Sequence, residues 1–202
     1  MVIKTTIEEI EETIKKYYIK NNILFLDDDI EEETIKEFKK RLIYILNHNT
    51  KNKPIKIYIS SYGGSIYELL SIYGLIKNAK CKIITIGLGY CMSAAADILL
   101  LGKERWAYPG TTIMLHESSS DDGYSKLNEK KIDYDELKRL NDFFIKRIEE
   151  VTTLTNVKKL LEKDRYFDTE SALKNKIITK IVKWVGGKNG FGEDSKENGT
   201  IY

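Results

Sequence analysis

Apolar residues along this chain fall into short unbroken runs separated by stretches of helical period. "NNILFLDDD" reads as a short buried strand, after which Ile35, Phe38, Leu42 and Ile45 fall on one helical face, with Asp29 and Glu32 placed to cap its start. The unit recurs. "IKIYIS" (55–60) predicts a strand, "YGGS" a turn, and Ile66, Leu69, Leu70, Tyr73 and Ile76 the buried face of another helix. A third strand, "KIITIG" (82–87), leads into "GYCMSAAADILLLG" (89–102), read as a helix, and "RWAYPGTTIMLH" follows as two short strands around Pro109-Gly110. Strands alternating with helices imply an α/β fold on a largely parallel sheet.

From about Ser125 the texture changes to a long charged helix, with Leu137, Leu140, Phe144, Ile148 and Val151 at helical spacing. A short helix near Asn156 to Glu162, the segment "DRYF" and a last strand, "IITKIVKWV", complete the body. At the front, Thr6 with Glu9 forms a capping box ahead of "IEEIEETIKKYYIK", which suits either an amphipathic helix or a mobile charged arm. The end, "GGKNGFGEDSKENGTIY", is glycine-rich and polar and is expected to be disordered.

The 202 residues, 42% of them hydrophobic, suffice for one domain with a sizeable core. The 33 basic and 31 acidic residues are interleaved, and a net charge of +2 supplies no field for nucleic acid or an anionic membrane. The N-terminus lacks the pattern of a secretory signal, and Asp97 interrupts the most apolar stretch, so no membrane span is expected. Two cysteines and two histidines make neither a disulfide framework nor a structural zinc set. The acidic runs "DDD" and "EEE" have no histidine beside them, so neither a metal nor another cofactor is expected. A cytoplasmic protein with free thiols fits best.

Three places could carry chemistry. Ser93 sits where a strand and a glycine-bearing turn hand over to a helix, so its hydroxyl would project beside unpaired backbone N–H groups. A serine there can equally serve only to cap the helix. Gly63 and Gly64 in "SSYGGSI" permit a turn with exposed amides, without the spacing or lysine of a nucleotide-phosphate loop. His116 closes the strand "TTIMLH" and could take a serine proton if a carboxylate held its tautomer. His48, in "LNHNTKN", reads as a loop residue with nothing nucleophilic nearby, and periodicity does not single out Asp164 among many acids.

Taken in order, "ISSYGGSI", "GYCMSAA", "YPGTTIMLH" and "EKDRYFDTESAL" resemble the proteolytic-subunit family of the Clp protease, ClpP, over about residues 18 to 185. The resemblance implies a ClpP/crotonase-like fold of repeated βα units with a protruding handle helix. It divides the chain into an N-terminal arm (1–17), a serine peptidase domain (18–185) and a tail (186–202). It implies Ser93 as nucleophile, His116 as general base, Asp164 as its orienting partner, and the backbone amides of Gly64 and Ala94 as oxyanion donors. The implied activity is hydrolysis of peptide bonds in unfolded polypeptides. The chamber would be built of two stacked heptameric rings, a tetradecamer, supplied by an AAA+ unfoldase. Within or near this fold stand a catalytically inactive ring subunit, a phage-type capsid-maturation protease without an ATPase and a crotonase-like acyl-CoA enzyme.

The chain departs from the family pattern at several points. Tyr62 stands where proline usually precedes the glycine pair, and Ser93-Ala94-Ala95-Ala96 replaces the common Ser-Met-Gly-Ala. Cys91-Met92 mimics the Ser-Met pair, but aligning Ser93 keeps the upstream glycine and Gly102 in place without a gap. The stretch from Gly102 to His116 is about two residues short, which a surface turn can absorb. The N-terminus does not match the axial-pore segment, and Lys56 takes the place of an aromatic that often lines the unfoldase pocket, although Tyr58 is kept.

Overall fold

A computed structural model of the chain describes residues 6–118 and 127–182. Helices and strands alternate, with β3 running on to Met92 through Gly89–Met92, residues expected in the following helix but held in strand by pairing with β5: α1 (Ile7–Lys20), β1 (Ile23–Leu26), α2 (Glu32–His48), β2 (Ile55–Ser61), α3 (Ile66–Lys77), β3 (Ile83–Met92) and α4 (Ala94–Leu101). Then follow β4 (Glu104–Ala107), β5 (Thr112–Leu115), α5 (Leu127–Val151), α6 (Val157–Leu160), β6 (Arg165–Phe167), α7 (Thr169–Lys174) and β7 (Lys180–Ile181). The strands form one seven-stranded sheet in the order β1-β2-β3-β4-β7, parallel throughout, with β5 parallel to β3 and β6 antiparallel to β5. The sheet is therefore largely parallel, and β6 is its one reversed strand among the described residues.

The long strand β3 organises the molecule. Its first half pairs with β4 (Ile84↔Glu104 to Gly87↔Ala107) and its second half with β5 (Tyr90↔Thr112 to Met92↔Met114). Between them the register with β2 shifts after Ile59, where Gly89 takes φ 68°. The strand thus leaves one neighbour and joins another just before Ser93.

Helix α2 buries Ile35, Phe38, Leu42 and Ile45, the predicted face. Its start differs from expectation: the N-cap is Glu31, without a side-chain bond, and Asp29 caps nothing. The cause is Ile30, which is drawn into a parallel bridge with Gly64 and holds the chain extended up to the helix. In α3 the fully buried face is Leu69, Ile72 and Ile76, while Ile66, Leu70 and Tyr73 are half-buried. In α5, Leu140, Phe144 and Ile148 are buried with Ile145, whereas Ile132 and Tyr134, nearer its start, are exposed. Helix α1 realises the capping box of Thr6 and Glu9 and buries none of its residues; packing begins only at Tyr18 and Ile19. The predicted last strand is seen as β7 alone, and the predicted disordered tail lies outside the described residues.

Candidate active site

At the end of β3 the chain turns through Ser93 into α4. Ser93 has φ 53° and ψ −130°, a conformation L-residues rarely adopt, and it is fixed from both sides. Its N–H donates to the Met114 carbonyl at 2.9 Å, and its own carbonyl accepts from the N–H groups of Ala96 (2.8 Å) and Asp97 (3.1 Å). The side chain makes no capping bond, so capping alone does not account for a serine here. Its Oγ lies 2.7 Å from Nε2 of His116.

Register explains how residues 93, 116 and 164 meet. The pairing Met92↔Met114 sets Ser93 alongside the end of β5, one residue before His116. The antiparallel pairing Leu115↔Arg165 sets Asp164 opposite His116. Two further bonds fasten the strand end: the Glu117 N–H donates to the Leu161 carbonyl (3.0 Å), and the Ser118 N–H to Oδ1 of Asn141 (3.1 Å). Nδ1 of His116 faces Oδ1 of Asp164 at 3.7 Å, and the aspartate side chain is 57% exposed. That separation exceeds a hydrogen bond.

The glycine pair lies against the same turn. Gly63 and Gly64 have φ 107° and 144°, which disfavour any side chain. A Cβ on Gly63 would come within 2.7 Å of the Met92 carbonyl oxygen, 2.8 Å of the Ser93 Cβ and 3.1 Å of the Ala94 nitrogen. The Ile30 N–H donates to the Gly63 carbonyl, and the Ser65 N–H donates to the Ile30 carbonyl, both at 2.8 Å. This pairing turns the amide of Gly64 away from Ile30. Ala94, the first residue of α4, has an N–H with no acceptor inside its helix. The pin supplied by Ile30 carries no local sequence signal.

Two alternatives are placed elsewhere. The Cys91 thiol is fully buried, donates to the Ile59 carbonyl, and is pushed up to about 12 by burial, which makes it a poor nucleophile. His48 ends α2 rather than lying in a loop. Its Nδ1 lies 2.7 Å from the Tyr44 carbonyl, its ring stacks on Tyr44, and it borders a groove of about 690 Å³ between α1 and α2. Among the described residues no helix is long and apolar enough to cross a membrane, and no group of three or more His, Cys, Asp or Glu could hold a metal.

Comparison with known proteins converges on one family. The Clp protease family model matches residues 7–184. The ATP-dependent Clp protease proteolytic subunit 2 of Prochlorococcus marinus (strain NATL2A) is 27% identical over 164 residues, covering 79% of this chain and 82% of that protein. The subunit 2 of Nocardia farcinica (strain IFM 10152) is 25% identical over 91% of each chain, and the subunit 4 of Streptomyces avermitilis is 27% identical over 90% of this chain and 84% of that protein. Matched along most of its length to this one group, and folded into a mixed α/β body consistent with it, the chain belongs to the Clp protease family and is a serine-type endopeptidase.

Proposed function

We propose that Ser93 is the nucleophile, His116 the general base and Asp164 the group that orients it, with the amides of Gly64 and Ala94 holding the oxyanion. The observation that carries this reading is the 2.7 Å contact between Ser93 Oγ and His116 Nε2 beside the Gly63-Gly64 turn. Ser93 Oγ attacks the carbonyl carbon of the scissile bond while its proton passes to Nε2 of His116. The tetrahedral oxyanion is met by the two amides. The carbon–nitrogen bond then breaks, His116 gives its proton to the leaving amine, and a water activated by the same imidazole releases the acyl group.

The substrates are unfolded polypeptides, reached inside a chamber of two stacked heptameric rings fed by an AAA+ ATPase in the cytoplasm. Residues 18–185 are the peptidase domain. Support comes from the relatives, named as proteolytic subunits of an ATP-dependent protease, and from the isoleucines and Tyr17 that α1 leaves exposed for a neighbouring subunit to cover.

A fluorophosphonate should label the wild-type protein at Ser93 and should not label Ser93→Ala, with peptide cleavage falling by about 10⁴-fold or more in Ser93→Ala and in His116→Ala. Unlabelled, inactive wild-type protein in an assembled state contradicts the assignment. Native mass measurement should give a ring-sized particle, and an AAA+ unfoldase with ATP should accelerate casein degradation. A labelled monomer would leave the endopeptidase without the chamber, and labelled rings indifferent to ATPase would leave it without the partner.

A further inference from the structure

The strands that deliver Ser93 and His116 have two faces with different contents. On β5, Ile113 and Leu115 point into the core, so Thr112, Met114 and His116 lie on the opposite face. On β3, Cys91 is in the core, while Tyr90 and Met92 are half-buried outside it. On β6, Phe167 packs on the core opposite Ile113, which puts Tyr166, paired with Met114, on the face of His116. The Ser93–His116 contact thus closes one end of a sheet face. The next row of that face is Met92, Met114 and Tyr166, and the row beyond is Tyr90 and Thr112.

Tyr62 completes this face. It follows β2, where Ile57, Ile59 and Ser61 turn inward, so it turns outward. Its ring stacks on that of Tyr90, with centroids 4.4 Å apart and planes 27° from parallel. One side of the Tyr62 ring is therefore covered, yet the residue is 63% exposed, which leaves the other side open. The next residue is Gly63, whose backbone packs against the Ser93 turn. Neither row carries a charged side chain.

We infer that this strip is a substrate subsite in which the open face of Tyr62 receives an apolar side chain, aromatic best, three or four residues from the bond attacked by Ser93. This rests on the assignment of Ser93 as nucleophile. Residues on one face of a strand recur about every 6.6 Å, so the Tyr90 row lies roughly 13 Å from that of His116. An extended polypeptide advances about 3.3 Å per residue, so two residues cross the methionine row and four reach the tyrosines. The methionines offer an adaptable apolar floor, and the tyrosine ring offers ring–ring contact to Phe or Trp. A carboxylate laid on that ring meets the negative face of its quadrupole and loses water without gaining a partner.

The test uses the assembled protein and quenched fluorogenic peptides of otherwise fixed sequence, with the cleaved bond identified from product masses. Peptides with Trp or Phe three or four residues from that bond, on one side of it, should exceed their Gly counterparts about tenfold in kcat/KM, with Glu below Gly. Tyr62→Phe should keep the Trp-to-Gly ratio, and Tyr62→Ala should bring it close to one. Each ratio is taken within one protein, so any change in Ser93 reactivity divides out. Moving the Trp along the peptide residue by residue needs no variant: in wild type the gain should peak at the third or fourth residue and be gone two residues further out. A profile without that peak, or a peak that Tyr62→Ala leaves unchanged, overturns the inference; fluorophosphonate labelling at Ser93 would then leave the endopeptidase assignment standing. Absence of labelling and of any cleavage overturns both.

Discussion

At the scale of single residues, the site depends on a contact between two backbones as much as on its side chains. Gly63 fills the space beside Ser93 so closely that a Cβ would press on both Met92 and Ser93, at a φ that already disfavours one. Gly63→Ala should therefore fold, with the loop or the serine turn displaced by a fraction of an ångström to an ångström. Displacements of that size cost about 100-fold in rate, and stopped-time labelling with a fluorophosphonate should read it while circular dichroism stays near wild type. Ser93 and His116 were legible as candidates because strand and helix boundaries place them. Asp164 was not, since its position opposite His116 comes from the β5–β6 register, a pairing across fifty residues that no local pattern encodes.

At the scale of elements, the sequence period located nearly every strand and helix, because each buries a face of matching period. The misplacements have tertiary causes: the start of α2 yields to the Ile30 bridge, and the buried face of α3 turns toward Ile72. One residue ties several elements together without any periodic signal. The guanidinium of Arg105 on β4, with the residue only 8% exposed, donates to the carbonyls of Val151, Lys176 and Ile177 at 2.8 to 3.0 Å and to Gly102 at 3.5 Å. It thereby joins the end of α5 and the turn after α7 to the sheet. Arg105→Met would leave the Ile177 and Gly102 carbonyls buried, and those of Val151 and Lys176 half-buried, without this donor, and should destabilise the protein by about 3 kcal/mol. Arg105→Lys should recover only part of this, because one ammonium cannot reproduce the fork of donors. Thermal unfolding of the two variants beside wild type checks both statements.

At the scale of the whole molecule, the acid of α4 makes stability depend on pH. Burial raises the Asp97 carboxyl in the folded chain from the ordinary carboxylate range to about 7, so the folded state holds a proton that the unfolded state has released. Its unfavourable contribution is absent below about pH 4, grows as pH rises from there to about 7, and is constant above. Asp97→Asn should match wild type in unfolding temperature near pH 4 and exceed it at pH 8; equal curves at both values would show that the carboxyl is solvated. The same scale holds what the pattern of apolar residues foretold least. Helix α1 presents Ile7, Ile10, Ile14 and Tyr17 to solvent along one stripe, a face that the proposed ring assembly would cover.

The fit between the residue 63 backbone and the serine turn also bears on how such chains are sorted by eye. A copy with serine, histidine and aspartate all intact would still be slowed about 100-fold if that one glycine had gained a methyl group. Counting the three side chains thus overstates how many copies can work, and the tally has to include a residue whose whole contribution is the atom it lacks.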